Sequence, residues 1–349
     1  MRIALITDLH LGYKENTSQS KSMYEYVKWF IEDVKRKEID NIFILGDIFD
    51  NRESINYLTI KNTYENLINP IVENNLKAFV IAGNHDLYYK NTNDVYSVKL
   101  LFGHIPNLHF VQNLAEELVV GNSLICLVPW INSENYEQNM GFLKNCNADY
   151  VMGHFEISGF TMVRGVKCTN GLGRDIFKKY KKVFSGHFHL KENIGNIYYL
   201  GTPYEKDWND YNSPKGYHIL DLDNNELEFI ENKNKHFVMI EYKDGLQGVC
   251  DLQGKEVKLV VNSIMKQTDF NKSLEELYNQ KVTKLQIIDN TTKIKENEVL
   301  NEDVVVENLG NNNLDIFKNY VENITVDESI DKNELSKILI DVYNESLVK

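Results

Sequence analysis

Residues 186 to 203 read GHFHLKENIGNIYYLGTP: two histidines one residue apart, a short apolar run, and a Gly-Thr-Pro turn. The flanking KVFS and IYYLG runs make the segment a strand end rather than a helix. In a strand of period two, His187 and His189 point to the same side and both imidazoles reach one object. The fold turns on whether other parts of the chain deliver matching groups to that object.

Working outward, the first two hundred residues alternate strand and helix. RIALITD is a short apolar strand, and residues 22 to 37 place Tyr26, Trp29, Phe30 and Val34 at helical spacing. IDNIFILGD is a second strand. Residues 54 to 75 read as a helix with Leu58, Tyr64, Leu67, Ile68 and Ile71 as its apolar stripe, kinked near Pro70. LKAFVIAGNHD gives a third strand and DVYSVKLLFG a short helix behind it. NSLICLVPW, ADYVMGHFE, KKVFSGHFH and NIYYLGTP follow as four further strands, so a layered α/β core is predicted.

Five polar clusters sit at or just beyond strand C-termini: Asp8-Leu9-His10, Gly46-Asp47, Gly83-Asn84-His85-Asp86, Gly153-His154 and Gly186-His187-Phe188-His189. Loops beyond the strand ends of an α/β sheet share one edge, where ligands bind. Taken singly, Asp8 or Asp47 reads as a strand-end cap, Asn84 as a turn former and His154 as a core histidine. Their recurrence at successive strand ends is what such readings do not explain. Carboxylates, imidazoles and an amide oxygen are mixed O/N donors that suit Mn²⁺, Fe²⁺ or Zn²⁺, and the absence of thiolate among them disfavours a structural zinc site. Seven donors exceed the needs of one ion, whereas two ions about 3.5 to 4 Å apart, sharing a carboxylate, would use them all.

Composition sets the remaining limits. The chain has 349 residues, 42% of them hydrophobic, enough for a large cored domain and a smaller one. No apolar run approaches the roughly 18 residues of a membrane helix, and MRIALITD is not built like a signal peptide, so a cytoplasmic location is expected. Cys126, Cys146, Cys168 and Cys250 lack metal spacing and read as buried free thiols. Residues 1 to 220 carry 23 Lys plus Arg against 25 Asp plus Glu, while residues 221 to 349 carry 15 against 26. The acidity therefore belongs to the C-terminal part. The run K178-K179-Y180-K181-K182 is a local cationic patch that could meet a phosphate backbone or be a solvated helix end.

The ordered motifs DxH, GDxxD, GNHD, GH and GHxH resemble the calcineurin-like metallophosphoesterase superfamily. Gly46-Asp47-Ile48-Phe49-Asp50-Asn51-Arg52 in place of GDxVDRG, and GTPY after the last histidine pair, look like its SbcD-type DNA-repair nucleases and their short bacteriophage relatives. The resemblance implies an α/β metallophosphoesterase core over residues 1–215. It implies that Asp8, His10, Asp47 and His189 hold one divalent metal and Asp47, Asn84, His154 and His187 a second, with Asp47 bridging. Mn²⁺ is the expected metal, since Mg²⁺ prefers oxygen shells. His85 would be a non-ligand acting on the phosphate or leaving oxygen, oriented by Asp86, while a metal-activated hydroxide attacks phosphorus. Asp50 departs from the family, where many members have histidine.

Beyond residue 215 the chain changes character. PKGYHILDLDNNELEFIEN reads as a hairpin, HFVMIEY and KEVKLVVNSI as strands, residues 273 to 282 as a helix with a Ser273/Glu276 capping box, and KLQIID as a strand. The resemblance makes residues 216–325 a smaller α+β capping domain that orients DNA. Loop residues Tyr13, Lys14, Arg52, Tyr88, Tyr89, Lys90 and Trp130 are candidate DNA contacts. Leu335, Ile338, Leu339 and Val342 form an apolar helical face in a C-terminal helix within 326–349. By the resemblance that helix binds the coiled-coil root of an SbcC-type ABC/SMC ATPase, and residues 54 to 75 or 92 to 102 could pair two copies in a homodimer. The function expected is a dimetal DNA endo/exonuclease subunit of a recombination and break-repair complex. The alternatives are a small-molecule or cyclic-nucleotide phosphodiesterase with the same metal set, or a non-catalytic DNA-end tether.

Overall fold

A computed structural model describes residues 1–242, 246, 251–262 and 267–291. In chain order the elements are β1 (Arg2–Ile6), α1 (Ser18–Arg36), β2 (Asn41–Ile44), α2 (Tyr57–Thr63), a π-helical turn (Tyr64–Ile68), α3 (Asn69–Glu73), β3 (Lys77–Ile81), α4 (Ser97–Phe102), β4 (Leu108–Val111), β5 (Glu116–Val120), β6 (Ser123–Val128), α5 (Tyr136–Asn145) and β7 (Tyr150–His154). They continue with β8 (Thr161–Val163), β9 (Val166–Lys167), β10 (Lys182–Gly186), β11 (Glu192–Ile194), β12 (Ile197–Tyr199), β13 (Gly216–Asp221), β14 (Glu226–Glu231), β15 (Phe237–Tyr242), β16 (Glu256–Val261), α6 (Gln267–Asn279) and β17 (Lys284–Asp289).

Two six-stranded sheets lie face to face. The first has the order β14-β13-β1-β2-β3-β4 and the second β11-β12-β10-β7-β6-β5. Strands β1 to β4 are parallel, as are β6, β7, β10 and β12, so their C-terminal ends emerge together within each sheet. Ile3, Leu5, Phe43, Ile125, Met152 and Phe184 pack between the sheets. The outer face of the first sheet is covered by α1 and the helices after β2, through Val27, Phe30, Ile71 and Val98. That of the second is covered by α5 and the loops before β10, through Leu143, Phe160 and Phe177. Strands buried on both faces are why the sequence runs are continuously apolar rather than alternating.

Local chemistry places the helix ends. α1 starts at Ser18, four residues before its apolar periodicity, because Thr17 and Ser20 form a reciprocal capping box at 3.2 and 3.1 Å. The segment predicted as one helix over 54 to 75 is divided by the π turn, whose exit at Asn69 precedes Pro70. Leu67, Ile68 and Ile71 are buried, whereas Leu58 and Tyr64, expected on the same stripe, are exposed; Leu58 lies about two and a half helical turns from Leu67, on the opposite face.

The predicted hairpin at the start of the second domain belongs instead to the first sheet. β13 pairs antiparallel with β1, Arg2 opposite Asp221 and Leu5 opposite His218, and β14 follows at the edge. Tyr217 and Ile219 pack toward the helices and Leu220 packs between the sheets, so β13 is an interior strand. The core thus runs past the expected boundary at 215/216, to about residue 231. A smaller parallel sheet, β15-β16-β17, follows around Tyr242, Val257, Leu259 and Leu277. Helix α6 passes through Ser273, which donates to the Asp269 carbonyl at 3.2 Å; the residue is interior to the helix, not its cap. The small sheet is tied to the core by Glu205, whose carboxylate accepts from the amides of His236 and Phe237 at 2.8 and 2.9 Å, and by Ser18 donating to the Gly254 carbonyl at 3.0 Å.

Among the described residues no helix is long and apolar enough to cross a membrane. Cys126, Cys146 and Cys168 are buried free thiols. Cys250, residues 292–325 of the expected capping domain, and the terminal helix with Leu335, Ile338, Leu339 and Val342 lie outside the described residues.

Candidate metal centre

Asp8, Asp47, Asn84, His154 and His187 stand at the C-terminal ends of β1, β2, β3, β7 and β10, and His10 and His189 follow two residues on. Donor atoms of Asp8, His10 and His189 lie within 4.8 Å of one another, as do those of Asp8, Asp47 and His154 and those of His10, Asp47 and His85. Two sheets therefore meet at one point. Asp8, His10, Asp47 and His187 all have positive φ, between 44° and 90°, conformations that non-glycine residues adopt at a cost of order 1 to 3 kcal/mol. Glycines make the approach possible. A Cβ on Gly83 would sit 2.2 Å from Asp47 Oδ1, and one on Gly186 2.1 Å from Thr7 Oγ1.

The donor set is electron-rich and faces inward. His154 Nδ1 lies 2.7 Å from the Leu45 carbonyl, so that nitrogen donates and Nε2 carries the lone pair. That Nε2 is 3.0 Å from Asn84 Oδ1 and 3.4 Å from Asp47 Oδ2, acceptors facing an acceptor. His187 Nδ1 meets the same Asn84 oxygen at 2.9 Å, and His10 Nε2 lies 3.0 Å from His189 Nε2. Converging lone pairs in a buried site call for a cation, and two carboxylates, one amide oxygen and four imidazoles fit divalent ions of the Mn²⁺, Fe²⁺ or Zn²⁺ type.

The electrostatics agree. Burial opposes a charge on His154, yet Asp47 and Asp8 raise its pKa to about 9, so the field would hold a proton where no larger cation sits. Burial raises the pKa of Asp47, but His154, His10 and His85 outweigh it and hold the carboxyl far below its usual range. Burial, then His154, lowers His187 to about 3, and burial with His10 lowers His189 well below the ordinary histidine value. Both rings are neutral and have lone pairs to give.

His85 stands at the rim, its ring 4.9 Å from that of His10. Its backbone amide donates to Asp47 Oδ1 at 2.8 Å, and its Nδ1 lies 2.6 Å from the Asp50 carbonyl. Asp86 does not orient this ring, contrary to expectation. Its carboxylate accepts the amides of Gly83, Asp47, Ile48 and Phe49 at 3.1, 2.8, 2.9 and 3.2 Å, since three amides in the turn after β2 and one after β3 would otherwise be buried without partners. Asp86 thus shapes the Asp47 turn, and the Asp50 carbonyl sets the imidazole.

Several supporting residues escaped the sequence reading. Thr7 Oγ1 donates to Asp8 Oδ2 at 2.8 Å. Lys206 pairs with Asp50 at 2.6 Å, and Asp50 Oδ1 in turn lies 3.3 Å from His10 Nδ1. Burial raises the pKa of Asp50, but His10 and Lys206 bring it down to about 2. Lys215, 1% exposed, donates to Asp210 Oδ1, Thr202 Oγ1 and the His189 carbonyl at 2.6, 2.6 and 2.7 Å. Lys206 follows the GTPY turn in sequence, the one available signal. Nothing local marks Lys215.

The candidate DNA contacts divide. Trp130 packs against the centre, its ring 5.0 Å from His187 and 5.9 Å from His154. Tyr13 is half-buried, with Lys206 Nζ 4.9 Å from the centre of its ring, and Lys14 pairs with Glu256 of the small sheet at 3.1 Å. Arg52 is half-buried, whereas Tyr88, Tyr89 and Lys90 are exposed, the two tyrosine rings 4.8 Å apart. The 178–182 cationic run is paired within the chain: Lys178 with Asp175, Lys181 with Asp149, and Lys179 with the carbonyls of Lys144 and Cys146.

Comparison with known proteins gives this geometry a lineage. A family model described as Calcineurin-like phosphoesterase matches residues 1–191. Exonuclease subunit 1 of Enterobacteria phage T4 is 31% identical over 280 residues, covering 79% of this chain and 82% of that protein. The SbcD component of the SbcCD nuclease of Escherichia coli (strain K12) is 21% identical over 284 residues, covering 67% and 68%. The DNA double-strand break repair protein Mre11 of Methanocaldococcus jannaschii is 23% identical over 266 residues, covering 70% of each chain. The family match contains every strand end that contributes to the centre, from Asp8 through His189, and on that ground the chain belongs to the calcineurin-like phosphoesterase family.

Proposed function

We propose that this protein is the nuclease subunit of a DNA-processing complex, a dimetal-dependent phosphodiesterase that works with a coiled-coil ATPase of the SbcC type. The observation that carries the reading is the convergence of buried donor side chains on one point: Asp47 groups with Asp8 and His154 and also with His10, Asn84 meets both His154 and His187, and His10 faces His189. Relatives named as an exonuclease subunit, as part of the SbcCD nuclease and as Mre11 support DNA as substrate and a larger assembly as the working form. Two divalent ions, Mn²⁺ being the expected metal, would supply Lewis acidity at the phosphate and a water activated at neutral pH.

The chain's own residues do the rest. Asp8, His10, Asp47 and His189 would hold one ion, and Asp47, Asn84, His154 and His187 the other. Thr7 and the His187 amide orient the Asp8 carboxylate. The Leu45 carbonyl fixes the tautomer of His154. The Asp50 carbonyl accepts the proton on His85 Nδ1, so a second proton, taken up on Nε2, is the one His85 would donate to the leaving oxygen. The three-stranded sheet would help to orient DNA, and the apolar sequence positions Leu335, Ile338, Leu339 and Val342 would be the ATPase contact. The test is cleavage of linear duplex and single-stranded DNA with Mn²⁺, alongside Asp47→Asn and a co-purification with the ATPase. Mn²⁺-dependent cleavage that disappears in Asp47→Asn is expected; cleavage surviving in that variant would refute the assignment.

A further inference from the structure

Beside the centre lies a cavity of about 320 Å³ that the metal chemistry does not use. His154 and Trp130 belong to both, so the cavity opens directly off the proposed ligands. Its walls are Trp130, Met140, Phe155 and Leu172, and apart from His154 its one charged lining group is Glu156. We infer that this cavity receives the base of the nucleotide whose phosphate lies at the metals, stacked on Trp130 with a base amino edge toward Glu156. The inference rests on the phosphodiesterase reading and adds the recognition of a single nucleoside to it.

Three features point to a base. A cavity that joins Trp130, Phe155 and Leu172 to the polar groups Tyr136, Asn170 and Glu156, with no lysine or arginine, disfavours a second phosphate and suits a heteroaromatic ring with polar edges. A volume near the lower end of the ~300 to 1,000 Å³ usual for small-molecule sites holds one nucleoside and not a duplex. The Glu156 carboxylate has acceptor capacity to spare, since the Cys168 thiol at 3.7 Å is a weak donor, and an amino group of adenine, cytosine or guanine would use it. The wall is preformed. Leu172 donates to the Glu156 carbonyl at 2.7 Å and Ser158 to the Leu172 carbonyl at 3.0 Å, and a Cβ on Gly171 would lie 2.5 Å from that Glu156 oxygen.

Gly173 provides the test. It is exposed at the rim with φ −68° and ψ 139°, and a Cβ there meets nothing within 4 Å, so Gly173→Leu adds bulk at the rim of the cavity without backbone strain. The full chain loaded with Mn²⁺ is assayed on bis(4-nitrophenyl) phosphate, with 2′-deoxyadenosine 5′-monophosphate (dAMP) and 2-deoxyribose 5-phosphate as inhibitors. The base should lower the inhibition constant by about tenfold, within the range of stacking on one aromatic side chain. Gly173→Leu should erase that advantage, and Glu156→Gln should reduce the preference for dAMP over the thymidine analogue. Melting temperature and metal content confirm that each variant is folded. Equal inhibition by the two phosphates, or an advantage that survives Gly173→Leu, overturns the inference. Failure to hydrolyse the diester at all would instead sink the phosphodiesterase reading. Quenching of tryptophan fluorescence by dAMP, compared with the sugar phosphate, then decides the cavity independently: no difference between the two refutes it.

Discussion

Replacing Lys215 by Met keeps the length of the side chain and removes its charge. Lys215 and Asp210 are each about 1% exposed, and the pair contact is 2.6 Å. The variant strands the Asp210 carboxylate, whose other oxygen accepts the amide of Lys206 at 2.9 Å, in a buried site without its cation. Breaking a buried pair from one side costs about 3 to 5 kcal/mol, far more than a surface pair. The same ammonium holds the His189 carbonyl and the Thr202 hydroxyl, so the turn carrying a proposed ligand loses its anchor. Metal affinity should fall about tenfold, at the lower end of the effect of outer-shell partners. Urea unfolding with and without Mn²⁺, together with calorimetric Mn²⁺ titration, reads both effects. Adding Asp210→Asn should recover at least half of the lost stability. A Lys215→Met protein destabilised by less than about 1 kcal/mol, with unchanged Mn²⁺ affinity, would refute the reasoning.

Other outcomes follow from the same geometry. His85→Ala should keep both Mn²⁺ ions by elemental analysis and lose phosphodiester cleavage by about 10² to 10⁴ fold; metal loss would make His85 a ligand instead. His218 is buried and its Nδ1 has no hydrogen-bond partner among the described residues; burial, then Lys191, lowers its pKa to about 3. The unfolded chain therefore takes up this proton first, and metal-free protein should lose about 3 kcal/mol between pH 6.5 and 4 that His218→Gln does not lose, as read by urea unfolding at each pH. A chain ending at residue 330 should still bind Mn²⁺ and hydrolyse a small diester while losing the ATPase in co-purification. Retained ATPase binding would place the partner surface elsewhere.

The histidine pair at 187 and 189 and the acids at 8 and 47 were legible because strand ends in a parallel sheet share an edge, which makes distant motifs neighbours before any contact is known. The layers followed from continuously apolar runs. What escaped were groups whose role depends on a partner far along the chain: Lys215 under His189, Lys206 against Asp50, and Asp86 spent on four backbone amides rather than on its neighbour's ring. The PKGYHILDLDNNELEFIEN hairpin was read as a hairpin correctly, but alternation alone cannot say which sheet a hairpin joins. Leu58 was misplaced because it stands about two and a half helical turns from Leu67, which puts it on the opposite face, and the exposed Tyr64 stands at the edge of the stripe.

Pairing of β1 with β13 has a consequence for how the chain is made. Leu5 waits for His218, over 200 residues later, to close its second edge. At synthesis rates of about 5 to 20 residues per second, that interval is roughly 10 to 40 s, during which β1 and β2 leave the ribosome with one flank of apolar backbone unpaired. A fragment ending where the family match does, at residue 191, never acquires that neighbour, and its natural fate is to recruit a strand from another molecule. The phosphoesterase motifs thus end before the first sheet is complete, and β13, made after them, is the strand that covers the open edge of β1.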